Sequence, residues 1–590
     1  MVAKVKSTRL DPVTLEVIRN ALPAISTEMA ADLQRTSYNM MIYEVRDFCT
    51  AVLTTDGDLV SQNVGGVSHF VADLGVLITD GMKRYGKEGF KPGDVILTNH
   101  QAVAGQHLNN VVIYVPFFFE GELIMFTMVR AHWIDVGGAS TGFGAGPSVP
   151  DPWMEGLQFD QLKIYEGGKV NEMLYRMVSD NIRFPESSMG DMKSQIAACK
   201  LGVRRLEDIF KRYGKDTVLA ALEQIYSEAE QKCRNVVSKF TDGVYEAESY
   251  LDGDGINPKD KITVKVKVTI DHGHMTIDMT GSSPERPVSV NARTYAGPRI
   301  AYKALTAPLE PVNEGGFRAL TCIIPEGSIM MARYPIPMAQ WSTTINITVD
   351  TILKALAPAM KDSTPAAHHA NMGGHTFFGN HPKTGRRFVL QTIDGGGWGG
   401  RPFEDGESGA VSSCQGDVRN GSIEGIELKC PIMIEGRKLR ADSGGAGRWR
   451  GGLGIDLHVR NFVDGRWNFT ATHREGCPPW GLWGGAEGTG GGYLLKKKGE
   501  PEYKRVMGMR QPVPADAQVI GQSPGGGGWG SPLEREPERV QWDVIEGLVT
   551  EETAKEVYGV ILGADLTLDL DATVRRRRDL SVATENAKAV

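Results

Sequence analysis

Cysteine is scarce in this chain: seven residues in 590, odd in number, scattered from Cys49 to Cys477 and without a C-x-x-C pair. That pattern excludes a disulfide framework and a cysteine-ligated zinc centre, and it fits a reduced, cytoplasmic protein. Long hydrophobic runs are missing too, since no uncharged apolar stretch approaches the roughly 20 residues that a membrane helix needs. Met1 to Arg9 are basic but have no apolar segment behind them, so no signal peptide is expected. Charge of one sign is also absent. The 65 Lys and Arg against 72 Asp and Glu leave a net charge of -7, without the clustered cations that bind nucleic acid or an anionic membrane. There is no G-x-x-x-x-G-K-[ST] phosphate loop, hence no ATP site of that type.

Glycine, by contrast, is abundant, with 71 residues concentrated between Gly373 and Gly530. Gly395, Gly396, Gly397, Gly399 and Gly400 surround Trp398, and Gly525 to Gly528 precede Trp529. Such density supplies positive φ angles or close backbone approach, and it lacks the short period of collagen, so an ordered, loop-rich region is expected. The length calls for more than one core. The expected fold is α+β and multidomain, with mixed sheets, flanking helices and that glycine-rich loop region. An N-terminal α/β domain over 1–240 carries the candidate site, followed by a strand-rich domain over 241–344 and a glycine-rich C-terminal domain over 345–590.

Asp11-Pro12 before Leu15, Ile18, Leu22, Ile25, Met29 and Leu33 predicts a capped amphipathic helix that Pro23 kinks or breaks. Strands are expected at 48–60 with a turn at Asp56-Gly57, at 95–98, 111–119 and 123–129, and in a hairpin over 261–279 turning at Asp271-His272-Gly273. Helices are expected over 194–239, broken near Gly214, and over 345–357, stopped by Pro358. A short helix is expected within 541–560, and Arg575 to Arg578 read as a solvated tail or a subunit contact.

Two G-x-S-x-G matches, at Gly138 to Gly142 and Gly521 to Gly525, lack the strand and helix that a nucleophile elbow requires. The stronger constellation is Glu44 to Phe48, Gly105 to Asn110 and Arg130 to Gly138, each beside a predicted strand. One carboxylate and two imidazoles there could hold a divalent ion, with Asp135 orienting His132. His368, His369 and His375 fit loop packing, while His272 and His274 flank a turn and are expected in solvent.

These segments resemble the hydantoinase B family, which includes B subunits of ATP-dependent hydantoinases, lactamases and 5-oxoprolinases and a related subunit of acetone and acetophenone carboxylases. The similarity runs nearly end to end: 11–18, 44–48, Pro92-Gly93-Asp94, 130–138, Asn313 to Arg318, Asp442 to Arg448 and Arg450 to Gly454. The resemblance implies a metal site at Asp47, His107, Asn110 and His132 for Mn, Zn or Mg, with His132 and Asp135 as catalytic residues. Asn110 stands where an acidic ligand is usual, and a neutral amide binds a divalent ion less strongly. The resemblance also implies a hetero-oligomer with a hydantoinase A-like partner that binds ATP and phosphorylates the substrate. Because a weakened ligand set handicaps water activation, the expected reaction is biotin-free carboxylation of a ketone with bicarbonate. ATP-dependent opening of a cyclic amide is the alternative, and a non-catalytic scaffold subunit is the third possibility.

Overall fold

The computed structural model describes residues 10–142, 149–254, 256, 260–360, 363–469 and 476–588. Helices and several sheets share the chain, giving the expected α+β class. It divides into two compact units: 1–246 with 265–352 and 414–421, and 247–264 with 353–413 and 422–590.

In the first unit the opening helix spans Pro12–Thr36, and the Asp11 carboxylate accepts the Thr14 N–H at 2.9 Å, satisfying a donor that the first turn leaves open. Of the kink or break expected at Pro23, the break is corrected: the helix runs on through it. Leu15, Ile18 and Leu22 before it and Ile25, Met29 and Leu33 after it bury one apolar stripe, which outweighs the roughly 3 kcal/mol that an internal proline costs. A seven-stranded, fully antiparallel sheet lies beside it, in the order β2-β1-β5-β4-β3-β6-β7. Its strands are β1 Phe48–Thr54, β2 Leu59–Gln62, β3 Val95–Thr98, β4 Asn110–Phe119, β5 Glu122–His132, β6 Leu162–Glu166 and β7 Lys169–Val170. The Asp56-Gly57 turn is present, with Gly57 at φ 86°.

Strand periodicity sorts this sheet into two faces. Val111, Ile113, Val115 and Phe117 of β4 and Met125, Val129 and Ala131 of β5 join the apolar core with the helices Pro12–Thr36 and Pro185–Tyr213. Alternate residues, among them Asn110, Arg130 and His132, therefore point to the opposite face. The helix Pro185–Tyr213 stops at Gly214, whose φ of 79° turns the chain into the helix Lys215–Val237, as the sequence predicts. The strands Ile262–Asp271 and His274–Asp278 form the expected hairpin, to which Leu320–Ile323 adds in parallel.

The helix expected to stop at Pro358 spans Trp341–Met360 instead. Pro358 sits in its last turn, so the helix ends two residues beyond the proline and not before it.

The second unit holds a four-stranded and a five-stranded sheet, and its glycines make a third kind of packing. Extended segments around 395–400, 443–454 and 523–530 bond backbone to backbone across one another. Gly397 donates to Pro524 O at 3.0 Å, Gly452 to Trp398 O at 2.8 Å, Gly526 to Gly452 O at 2.9 Å and Gly445 to Gly526 O at 2.8 Å. A Cβ on Gly397 would lie 1.9 Å from Gly452 O, and one on Gly526 2.0 Å from Trp398 O. The expected ordered, glycine-rich region is present, and steric exclusion explains its composition. Arg575 to Arg578 are corrected from a tail to part of the helix Leu570–Lys588. Arg577 donates to the carbonyls of Tyr558 and Arg535, and Arg576 pairs with Glu556, which docks that run against residues 535–558. Among the described residues no helix is long and apolar enough to cross a membrane.

The glycine packing is testable. Gly526→Ala should destabilise the protein by about 3 kcal/mol or more, since backbone cannot give way to an inserted methyl. Gly436→Ala, whose Cβ meets nothing closer than Lys438 Cε at 3.8 Å, should change stability by no more than about 0.5 kcal/mol. Equal denaturant midpoints for the two variants would contradict the packing account.

Candidate functional site

The polar face of β1, β4 and β5 carries the site. His132 ends β5 and pairs in register with Asn110 at the start of β4, while the His132 N–H donates to Asp47 O at 3.1 Å. His107 precedes β4, and its ring stands 5.1 Å from that of His132 at an interplanar angle of 73°. Asp47, His107, Asn110 and His132 are thus gathered on one buried surface.

Over it lies the short helix Ser68–Val71 and the residues after it. His69 packs its ring edge-on against Trp341 at 4.5 Å, with its Nδ1 lacking a hydrogen-bond partner among the described residues. Asp73 Oδ2 accepts from Thr294 Oγ1 at 2.6 Å and Gln106 Nε2 at 3.2 Å. Gln106 Oε1 in turn accepts from Asn110 Nδ2 at 2.9 Å. That bond fixes the amide so that its buried Oδ1 end is turned toward the His107 ring, with which Asn110 interacts.

Burial governs the protonation states. It pushes His69 down to about 3, with the Arg130 charge adding to the effect, and His132 down to about 4. His107 is held well below the usual imidazole value by burial and by the neighbouring His132, so all three rings are neutral near pH 7. Burial raises the Asp47 carboxyl to about 7 although Arg130 opposes it. Cys49, opposite Arg130 in the β1–β5 register, is pushed up to about 12 by burial and is no nucleophile.

The donor types fit a divalent cation: two neutral imidazoles, one carboxylate and an amide oxygen. His107 Nδ1 stands 3.3 Å from Ala339 O and 3.2 Å from the Trp341 indole nitrogen. Donating to Ala339 puts the proton on Nδ1 and the lone pair on Nε2, whereas accepting from Trp341 puts the proton on Nε2, so ligation through Nε2 selects the first tautomer. Asp47, His107 and His132 do not form a group whose ligand atoms all lie within 4.8 Å of one another. Among the described residues, the acid and imidazole set whose atoms all lie within 4.8 Å of one another is Asp242, Asp271 and His272, on the surface.

Asp135 is fully buried and does not join this group. Its carboxylate accepts the N–H of Gly137, of Gly142 and of Arg183, each at 2.9 to 3.0 Å, and pairs with the Arg183 guanidinium at 2.9 Å. Arg183 further donates to the carbonyls of Gly137, Gly138 and Ser140. Gly137 and Gly138 both take positive φ, 88° and 78°, and a Cβ on Gly138 would meet Glu155 O at 2.4 Å. Asp135-Val136-Gly137-Gly138 is therefore the anchor of a tight loop following the His132 strand. Sequence reasoning missed His69, Asp73, Glu155 and Trp341. Glu155, whose acid is raised to about 8 by burial, accepts from Gln101 Nε2 at 2.9 Å and holds the 101–106 loop. Only tertiary packing marks these four. In sequence none sits beside the His132 strand.

With that geometry, the hydantoinase B/oxoprolinase profile matches residues 11–532. The chain belongs to this family. It is 30% identical to the putative D-/L-hydantoinase B subunit from Pseudomonas sp. strain NS671, over 97% of this chain and 98% of that one. The crystal structure of the ATP-dependent caprolactamase from Pseudomonas jessenii superposes with a TM-score of 0.90 at 25% identity, covering 97% of this chain and 100% of the other. A nucleotide-free acetone carboxylase superposes with a TM-score of 0.89 at 19% identity, covering 98% and 84%, and it shows the shared fold.

The Asp135–Arg183 pair generates a prediction. Arg183→Ala strands a buried carboxylate and should cost about 3 kcal/mol or more, visible as a lower denaturation midpoint. Asp135→Asn removes the charge and keeps acceptors for the loop amides, so it should cost less. A larger loss in Asp135→Asn than in Arg183→Ala would assign Asp135 a role beyond this anchor.

Proposed function

We propose that this chain is the substrate-transforming subunit of a hetero-oligomeric, ATP-dependent enzyme that opens a cyclic amide, with ATP bound by a hydantoinase A-like partner. The observation that carries this reading is full-length likeness to a hydantoinase B subunit and to an ATP-dependent caprolactamase, with 30% and 25% identity, on a chain lacking a phosphate loop.

The substrate carbonyl belongs on the polar face, against Asp47, His107, Asn110 and His132. Where no ion is bound, Asp47, raised to about 7 by burial, can take and return a proton at neutral pH, as ring opening needs at the attacking water and the leaving nitrogen. The neutral His132 imidazole presents either a lone pair or an N–H without first losing a proton. A divalent ion held by Asp47, His107, Asn110 and His132 would supply a polarised carbonyl and a more acidic water. Enclosure by His69 and Trp341 keeps bulk water from an activated substrate.

One observation favours a second reading, ketone carboxylation with bicarbonate. A neutral amide at Asn110 weakens water activation, which bond formation between carbons does not require. The shared fold with acetone carboxylase accommodates that chemistry.

Reconstitution with the partner and ATP separates the two. Ring opening of a hydantoin or lactam without bicarbonate is expected, and His132→Ala should lower it at least about 10²-fold. Labelled bicarbonate entering an acid-stable product from a ketone would instead establish the carboxylase. The isolated chain should hydrolyse no ATP, and robust hydrolysis by it would refute the division of labour.

Asn110→Asp should raise the divalent metal retained after dialysis, read by elemental analysis. A full complement of ion that already survives chelation in the unmodified chain would show that the amide is no handicap.

A further inference from the structure

Arg130 lies two residues before His132 on β5, so the two side chains leave the same face about 7 Å apart along the strand. It is only 2% exposed, yet its Nε and Nη1 have no hydrogen-bond partner among the described residues. The carboxylates of Asp73, turned to Thr294 and Gln106, and of Asp47, across the strand pair beside His132, offset part of the Arg130 charge without bonding to those two nitrogens. The guanidinium carbon lies over the Phe70 ring, 5.1 Å from its centroid, a contact that does not use the N–H groups. Two buried donors left without acceptors are costly to keep unless something binds them. A planar fork of donors matches an oxyanion with two oxygens to offer.

We propose that Arg130 seats an oxyanion of the substrate, a phosphoryl or carboxylate group, beside the His132 imidazole. This rests on the reading of that face as the reaction site and goes beyond it by naming the group that the site recognises. A ligand bridging the two positions needs its anionic end and its reacting carbon a few bonds apart, as in an acyl phosphate, an enol phosphate or a small carboxylic acid. Specificity then comes from the distance between Arg130 and His132. The apolar ring of Phe70 on one side of the fork excludes water, so the ion pair forms at full strength only when the ligand is in place.

The test uses the full-length chain titrated calorimetrically with inorganic phosphate and, separately, with acetate. Arg130→Lys and Arg130→Met are titrated alongside, and thermal midpoints are recorded with and without each anion. Wild type should bind at least one anion and melt higher in its presence. Arg130→Lys, which keeps the charge and loses the fork, should bind at least tenfold more weakly, and Arg130→Met should show no anion-dependent shift. Phosphate alone binding identifies a phosphoryl group, and acetate alone a carboxylate. Failure of wild type to bind either anion overturns the proposal, as does undiminished binding by Arg130→Lys. The lysine variant decides the matter if the methionine variant does not fold. Anion binding is read without turnover, so it stands or falls separately from the ring-opening and bicarbonate assays.

Discussion

The alternation of side chains along β5 is the constraint on which the candidate site depends. Val129 and Ala131 enter the apolar core beneath the Pro12–Thr36 and Pro185–Tyr213 helices, which forces Arg130 and His132 to the other side. A slip of one residue in register would bury the arginine among aliphatic side chains, so burial of the core face pins the polar face as well. Because β5 is central, flanked by β1 and β4, its polar residues gain Asp47 and Asn110 as cross-strand neighbours.

Burial of this face then sets its chemistry. Removal from water keeps the three imidazoles neutral and lifts Asp47 into the physiological range, while Arg130 supplies the neighbouring positive charge. The network from Thr294 through Asp73 and Gln106 to Asn110 fixes the orientation of that amide. The fold is shared by a caprolactamase and an acetone carboxylase, so the reaction is decided by such side chains and not by the architecture.

The glycine-rich segments obey a different rule. Where packed layers elsewhere are spaced by side chains, the segments around 395–400, 443–454 and 523–530 touch through bare backbone, and carbonyl oxygens occupy the positions that Cβ atoms would need. Their hydrogen bonds take the place of a hydrophobic core, which accounts for glycine being concentrated there.

Local order was legible in the residues themselves. The Asp11-Pro12 cap, the Asp56-Gly57 turn, the break at Gly214 and the 261–279 hairpin depend on neighbours a few positions away, and the structure contains each of them. Family motifs likewise marked the segments 44–48, 105–110 and 130–138, and family membership followed from them. Pro23 misled because tertiary burial of an apolar stripe outweighs local propensity, and at Pro358 the helix ends two residues later than the proline suggests. Asp135 looked like a partner for His132 three residues away, yet a strand end followed by two positive-φ glycines turns it to Arg183, 48 residues distant in the chain. His69, Asp73, Glu155 and Trp341 come to the site from remote segments. Sequence by itself determined the periodicities, the turns and the family; only the tertiary structure decided which polar groups meet, because contact between distant segments is set by the packing of whole layers.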